Sequence, residues 1–348
     1  MPRNNGMICE KGSAMYFSFS TVNNAPRGVT VISDKNKDLI AWIIPRGARI
    51  MQLFLRVKNQ SYKALCLGFS EVESYNSDRF FLGAICGRYA NRIGNGVIVT
   101  GEKKLLLDIN HPMGHTIHGG SQGFSNYDWK IERTSSNSCC LSIESIDGDQ
   151  GFPGACLARC VYSIEKTQFK ITLEAEVDKN CPLNLVQHAY FCFSENGKAS
   201  GHFLEIPAKK RLQLGLDELP TFAVPVSGQW FDFTKPKLLS DLSQTMLESL
   251  DNCYILRTEC TQEPKLSAVL STDQICLRIS STEPSVQVYT SANLKPASKP
   301  LGYHHKPGSG ICLECEEWPN GPALNRPVWF GPHRPYKQIT IWDFLTLQ

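Results

Sequence analysis

The segment NLVQHAYFCF, Asn184–Phe193, sets one titratable side chain into a run of residues that is typical of a buried strand. Successive side chains of a strand point to opposite faces, so His188 shares its face with Asn184, Val186 and Tyr190. An imidazole titrates near neutrality and can exchange a proton at physiological pH. Two interpretations stay open for this segment alone: a histidine that transfers protons, or a core histidine satisfied by one backbone hydrogen bond.

Short strand-like runs recur on both sides of this segment, among them LIAWII, ARIMQLFLRV, CLSIESI, QFKITLEAEV and SVQVYTS. They follow one another at roughly 8 to 12 residues, the spacing expected of a sandwich or barrel. One stretch, Leu238–Leu250, predicts a helix, and the regular alternation of strands and helices in a doubly wound sheet is missing. We therefore predict an all-β fold with few short helices, a sandwich or a barrel; the family resemblance carried by the motifs below implies a large antiparallel β-sandwich.

Domain organisation follows from the spread of glycine and proline, which punctuate the whole chain without forming a low-complexity linker. This pattern favours one continuous β domain over two halves joined by a hinge. We predict a single domain over residues 28–348, preceded by an amino-terminal extension over residues 1–27.

Composition excludes several classes of partner. The chain has 348 residues, 20% of them charged, with a formal net charge of +3 and both signs interspersed, which argues against nucleic acid or an anionic membrane. No run approaches the roughly 18 apolar residues of a membrane span, and the amino terminus lacks the apolar core of a secretory signal. Most of the 14 cysteines lie among apolar strand residues, where a free thiol behaves as a small hydrophobe. We therefore expect a cytoplasmic protein.

Two loops carry more polar chemistry than a β core needs. GRYANRIG contains Asn91 and Arg92, whose amide and guanidinium suit sugar hydroxyls or an anion, although an arginine in such a loop can equally bind carbonyls as a structural staple. HPMGHTIHGG contains three histidines, of which His118 precedes two glycines that allow close approach of a ligand. A metal site built from these histidines is the weaker interpretation, because the segment is a loop without the usual ligand spacing.

The segment ICLECEEW, Ile311–Trp318, brings two carboxylates to one strand face, at Glu314 and Glu316. In a partly dry cleft, burial and the second negative charge would both raise the pKa of one of them towards the range of a general base. A solvated strand face is the alternative. The chain has no Walker loop, dinucleotide fingerprint or serine elbow, so we expect proton-transfer chemistry with no organic cofactor and no metal.

Eight motifs identify a resemblance to the aldose 1-epimerases, also called galactose mutarotases, from about Gly28 to the carboxyl end. In chain order they are LGF, FLGAICGRYANRIGNG, TIHGGSQGFSNYDW, DGDQGFPGACLARCVYSI, NLVQHAYF, LDNCYIL, SVQVYTSANL and GICLECEEWP. The resemblance implies a galactose mutarotase-like supersandwich and interconversion of the α and β anomers of a free hexose, galactose or glucose. It assigns the general acid to His188 and the general base to Glu314.

The same resemblance implies a set of sugar contacts and a small-molecule sugar as the partner of a monomer or weak homodimer. The implied contacts are Asn91, Arg92, His118, Asp251 and Gln287, with Tyr190 lining the same pocket. Glu316 departs from the glutamine common in the family, which would raise the pKa of Glu314 or shift the sugar preference.

Two alternative functions remain on the same scaffold. A hexose-6-phosphate 1-epimerase would need extra cationic residues at the cleft rim. A non-catalytic sugar-binding or regulatory protein would need neither an acid nor a base, because fold likeness alone does not establish activity.

Overall fold

The computed structural model describes residues 16–57 and 60–347. Residues 1–15, which make up much of the predicted extension, lie outside the described residues, as do residues 58–59 and 348. Three antiparallel sheets carry the fold, which confirms the predicted all-β class.

The largest sheet has nine strands. In sheet order they are Lys130–Thr134, Ser138–Ser145, Cys156–Glu165, Gln168–Val177, Tyr336–Thr346, Ile275–Ser281, Lys265–Ser271, Phe203–Glu205 and Lys237–Leu238. Buried and more exposed residues alternate along its central strands, because only one face of the sheet meets the core.

A six-stranded and a five-stranded sheet form the opposite layer. The six-stranded sheet contains Tyr190–Phe191, Ile311–Glu316, Ser285–Tyr289, Asp251–Ile255, Lys210–Leu214 and Pro220–Pro225. The five-stranded sheet contains Tyr16–Phe17, Tyr62–Ala64, Arg49–Arg56, Leu39–Ile44 and Thr30–Ser33. All three sheets contribute to one hydrophobic core, for example through Tyr162, Val288 and Ala41, so the fold is the predicted sandwich.

The five-stranded sheet is buried on both faces. Every residue of Leu39–Ile44 is buried, which explains its continuous apolar sequence. Its second face packs in a separate cluster, in which Trp42 and Phe54 join Tyr190 and Cys312 of the six-stranded sheet.

The remaining elements are short. Five two-stranded ladders pair Val97–Thr100 with Lys103–Leu106, Arg92–Ile93 with Thr116–Ile117, Cys181–Pro182 with Trp329–Phe330, Ile85–Cys86 with Val186–Gln187, and Gly68–Phe69 with Pro300–Leu301. The α-helices among the described residues are Phe19–Asn23 and Gln244–Glu248. Short 3-10 helices cover Val72–Ser77, Gly94–Gly96, Phe124–Asn126, Asp149–Gly151, Ala199–Gly201, Leu239–Asp241 and Gly321–Leu324. No helix within 16–57 or 60–347 has the length and apolar character to cross a membrane.

Two local predictions need correction. The helix expected over Leu238–Leu250 is only Gln244–Glu248, because Ser243 caps it by accepting a hydrogen bond from the Met246 amide at 3.2 Å. The strand expected over Asn184–Phe193 is two short strands that pair with different partners, Val186–Gln187 with Ile85–Cys86 and Tyr190–Phe191 with Ile311–Glu316. His188 therefore lies at a break between two ladders.

Part of the predicted extension belongs to the packed fold. Tyr16–Phe17 pairs with Tyr62–Ala64, and Val22 is fully buried, with its carbonyl accepting a hydrogen bond from the Trp42 indole at 2.9 Å. The division of the chain at residues 27 and 28 stays a prediction.

Candidate active site

One wall of the site is the outer face of the six-stranded sheet. Strand register places Gln287 opposite both Cys253 and Glu314. Asp251 shares the face of Cys253, because a single residue lies between them along one strand. Asp251, Gln287 and Glu314 are therefore cross-strand neighbours, which only the pairing of three separate strands could bring together.

The second wall consists of two loops that are hydrogen-bonded to each other. The amide of Asn91 donates to His118 Nδ1 at 3.3 Å, and the amide of His118 donates to the carbonyl of Asn91 at 3.1 Å. A Cβ atom at Gly119, which follows with φ +86°, would lie 1.8 Å from the carbonyl oxygen of Gly87. Only glycine allows this approach, and the loop therefore holds His118 over the cleft.

These walls enclose a cleft of about 890 Å³. All eight residues singled out from the sequence line it: Asn91, Arg92, His118, His188, Tyr190, Asp251, Gln287 and Glu314. Their placement in one cleft is observed, whereas their individual roles stay predictions.

The two expected proton-transfer residues face each other. His188 Nε2 lies 3.6 Å from Glu314 Oε1, and the side chains are 5% and 3% exposed. The imidazole stacks on Tyr190 and contacts the rings of Phe81 and His118. A solvated strand face, the alternative considered for Glu314, is therefore wrong.

Burial determines the charge state of this pair. It lowers the pKa of His188 to about 3, so the expectation of an imidazole that titrates near neutrality is wrong. Burial, followed by repulsion from Glu316 and Asp251, raises the pKa of Glu314 well above its ordinary value. When the pair shares a single acidic proton, the carboxyl of Glu314 is therefore its favoured position.

Glu316 is fully buried beside the site, and its hydrogen bonds were not predicted from the sequence. Its carboxylate accepts from Asn91 Nδ2 at 3.0 Å and from Asn184 Nδ2 at 3.4 Å. Burial raises the pKa of Glu316 to about 8, while the two amides act to lower it. Glu316 thereby anchors Asn91 and, through the Asn91 backbone, His118.

Arg92 and Asp251 join the two walls. Arg92 Nη2 donates to Asp251 Oδ2 at 3.3 Å and to Glu218 Oε2 at 2.9 Å, while Gln287 Nε2 donates to Asp251 Oδ1. Glu218 was missed, because it lies in an exposed polar loop that carries no sequence signal. Cys312, whose Sγ lies 3.6 Å from His188 Nδ1, could have been found from its place on the strand face of Glu314.

A metal ligand set has to be weighed, because single ligand atoms of His118, His188 and Glu314 lie within 4.8 Å of one another. His118 accepts the Asn91 amide at Nδ1, so the proton of its neutral ring is on Nε2. Burial is the main cause that lowers the pKa of His118 well below its ordinary value, which keeps the ring neutral. Nε2 of His118 therefore offers the cleft a hydrogen-bond donor rather than a free lone pair for a metal ion.

Two further polar residues of the GRYANRIG and HPMGHTIHGG loops, Arg88 and His115, have structural contacts instead. The guanidinium of Arg88 donates to Ser145 and to the carbonyls of Pro153 and Gly154, so Arg88 is a loop staple. His115 accepts from the amide of Asn95 at 3.0 Å.

Comparison with known proteins agrees with this geometry. A profile of the family described as aldose 1-epimerase matches residues 30–331. The chain belongs to the aldose 1-epimerase family.

Named relatives of this epimerase family are similar along most of their length. The aldose 1-epimerase of Escherichia coli K12 is 28% identical over 326 residues, covering 89% of this chain and 93% of the relative. The galactose mutarotase of Mus musculus is 30% identical over 318 residues, covering 88% and 90%. The crystal structure of the GalM/aldose epimerase homologue from C. elegans superposes with a TM-score of 0.85 at 26% identity, covering 92% of this chain and 99% of the homologue.

Proposed function

We propose that this protein is an aldose 1-epimerase that interconverts the α and β anomers of a free hexose, galactose or glucose. The observation that carries the proposal is the buried His188–Glu314 pair, 3.6 Å apart at the base of a cleft lined by hydroxyl-binding groups. Membership of the aldose 1-epimerase family supports the same reaction class.

The reaction needs only the relocation of protons. Glu314 removes the proton of the C1 hydroxyl while the bond between C1 and the ring oxygen breaks, and His188 gives a proton to that oxygen. The C1–C2 bond of the open-chain aldehyde rotates, and the reverse steps close the ring on either face. The resting form has neutral His188 and protonated Glu314, and the reactive form has imidazolium and carboxylate. Both forms contain the same number of protons, so the reactive form arises when one proton moves from Glu314 to His188.

Sugar hydroxyls would find both donors and acceptors in the cleft. Arg92 and the Nε2–H of His118 offer donors, and Asp251 offers a carboxylate that is about one-third exposed. Fixed, pre-oriented groups of this kind hold a ring in place while its anomeric carbon reacts.

Two buried oxygens support a ligand-binding cleft. Glu314 Oε2 and Gln287 Oε1 have no hydrogen-bond partner among the described residues. An unsatisfied buried polar atom costs about 1–3 kcal/mol, which a bound hydroxyl would recover. The buried carboxyl group of Glu314 also argues against a purely sugar-binding role. A glutamine at this position would bind hydroxyls through its amide without the cost of burying a carboxyl group.

Polarimetry tests the proposal. Freshly dissolved α-D-galactose and α-D-glucose should approach anomeric equilibrium faster with the protein than without it, after subtraction of the uncatalysed rate. Sugar binding without acceleration would instead establish a non-catalytic protein.

A further inference from the structure

The cleft has room beyond the reacting ring. Its volume of about 890 Å³ lies near the upper end of the range for pockets that enclose drug-sized ligands, roughly 300–1,000 Å³. Besides His188 and Tyr190, its lining includes Phe81, Arg79 and Arg46. A substituent on the sugar can therefore be bound there together with the ring.

The arginines that line this cleft differ in whether a carboxylate pairs with them. Arg92 pairs with Glu218 and Asp251, whereas Arg46 and Arg79 form no ion pair within the described part of the chain. Nε of Arg46 is buried and lacks a hydrogen-bond partner there, and Arg79 is exposed at the rim. Two arginines thus face the cleft without a counter-charge.

A third arginine, lying below the cleft, connects the segments that carry these two. The fully buried guanidinium of Arg49 donates to Asp78 Oδ2 at 2.6 Å and to the carbonyl of Ser125 at 3.1 Å. Arg79 directly follows Asp78.

Arg46 reaches the same place from the other side. The next residue, Gly47, packs so closely on the Ser125 backbone that an added Cβ would lie 2.6 Å from its carbonyl oxygen. Arg46 and Arg79 therefore flank a single buried guanidinium and border the same end of the cleft.

This end corresponds to one end of the sugar. With C1 at Glu314 and the ring oxygen at His188, the carbon that bears C6 follows the ring oxygen on the side away from C1. Phe81 lies beside His188, with ring centroids 5.8 Å apart, and the Tyr190 hydroxyl donates to the Phe80 carbonyl at 2.8 Å. The segment that carries Arg79 therefore borders the C6 side of the ring.

We propose that Arg46 and Arg79 form a subsite for an anionic oxygen group, a phosphate or a carboxylate, carried at the C6 end of the aldose. The inference rests on the proposed function, because the orientation of the ring comes from the roles of His188 and Glu314. A guanidinium presents a planar fork of donors that matches both groups, and a phosphate or carboxylate would neutralise the two free charges.

The test compares kcat/KM for anomerisation of glucose 6-phosphate, galacturonate and galactose. Arg79→Ala and Arg46→Gln should each lower the ratio of the anionic to the neutral sugar by about tenfold or more, the size of one charge-assisted hydrogen bond. Arg133→Ala, on an exposed strand at the far edge of the nine-stranded sheet, is the matched control and should leave the ratio unchanged.

The outcomes separate the two proposals. If the arginine variants lower the ratio of kcat/KM to that of galactose only for glucose 6-phosphate, the subsite binds phosphate. If they lower it only for galacturonate, the subsite binds carboxylate. Either result supports the inference. Acceleration of galactose with ratios that neither arginine variant changes overturns the subsite but leaves the epimerase. Failure to accelerate any of the three sugars overturns the proposed function itself.

Discussion

His188 Nε2 and Glu314 Oε1 are 3.6 Å apart, slightly beyond hydrogen-bond length. The strand that carries His188 is broken there, and its two halves pair with different strands. The break at His188 is part of this arrangement. The amide of His188 donates to the carbonyl of Ala84 at 2.8 Å, and its own carbonyl accepts from the Gly83 amide at 3.0 Å. The backbone is satisfied on both sides, which fixes the imidazole over Glu314.

The pair itself gives the first prediction. Glu314→Gln and His188→Asn should each lower the catalysed rate of galactose mutarotation by a hundredfold to ten-thousandfold, about the contribution of one general acid or base. Glu144→Gln and His333→Asn, at exposed positions, serve as matched controls that keep wild-type rates. Retention of more than about a tenth of the activity by either site variant would refute the assigned roles.

The charge state of the pair gives a pH prediction. A second proton is gained only as pH falls towards the His188 pKa of about 3, and the last proton is lost only above the raised pKa of Glu314. We therefore expect kcat/KM for galactose to have its acid limb near the His188 pKa and its alkaline limb above the ordinary pKa of a carboxyl group. An acid limb near the ordinary pKa of histidine would contradict this picture.

Glu316 should set the alkaline limb of the same profile. Its charge is a cause of the raised pKa of Glu314, so Glu316→Gln lowers that pKa and the pair loses its last proton at lower pH. The alkaline limb of kcat/KM should move to lower pH in this variant and stay in place in Glu144→Gln. A limb that moves upward or not at all would show that Glu316 acts only through Asn91.

Cys312 is expected to orient the catalytic imidazole. A ring whose Nδ1–H donates to the Cys312 sulfur keeps Nε2 unprotonated and facing Glu314, so Nε2 can take up the proton that the pair shares. Cys312→Val should lower kcat about tenfold, with little change in KM, whereas Cys312→Ser keeps an acceptor and most of the activity. Cys315→Val, on the opposite face of the strand, is the control; wild-type kcat in Cys312→Val would disprove the contact's role.

The buried ion pair beneath the cleft predicts a stability effect. Arg49 and Asp78 are both inaccessible to solvent, so Asp78→Asn leaves a buried cation without its counter-charge. The free energy of unfolding in urea should fall by about 3–5 kcal/mol. Glu174→Gln, which removes the exposed partner of Lys337, should cost less than about 1 kcal/mol. Equal losses in the two variants would mean that the buried pair contributes no more than a surface one.

Local sequence patterns indicated an all-β fold and several polar residues of the cleft, whereas the choice of a sandwich and the contacts Asp251 and Gln287 came from the resemblance to the aldose 1-epimerases. Periodicity of two identified the strands, and motifs in Gly-rich and His-rich loops and on the strand Ile311–Glu316 pointed to the polar groups. These signals are local, because a strand's alternation and a loop's glycines depend on neighbours within a few residues.

The tertiary structure decided the rest. Only the packing of distant segments shows that His188 lies at a strand break, that Glu316 is held by Asn91 and Asn184, and that Arg46 and Arg79 border one end of the cleft. Burial also moves the pKa of His188 away from neutrality, and burial is a property of the assembled sheets. Residue types and their order therefore determined which chemical groups are present. Desolvation and long-range contacts determined the charge state of the His188–Glu314 pair and the extent of the cleft around it.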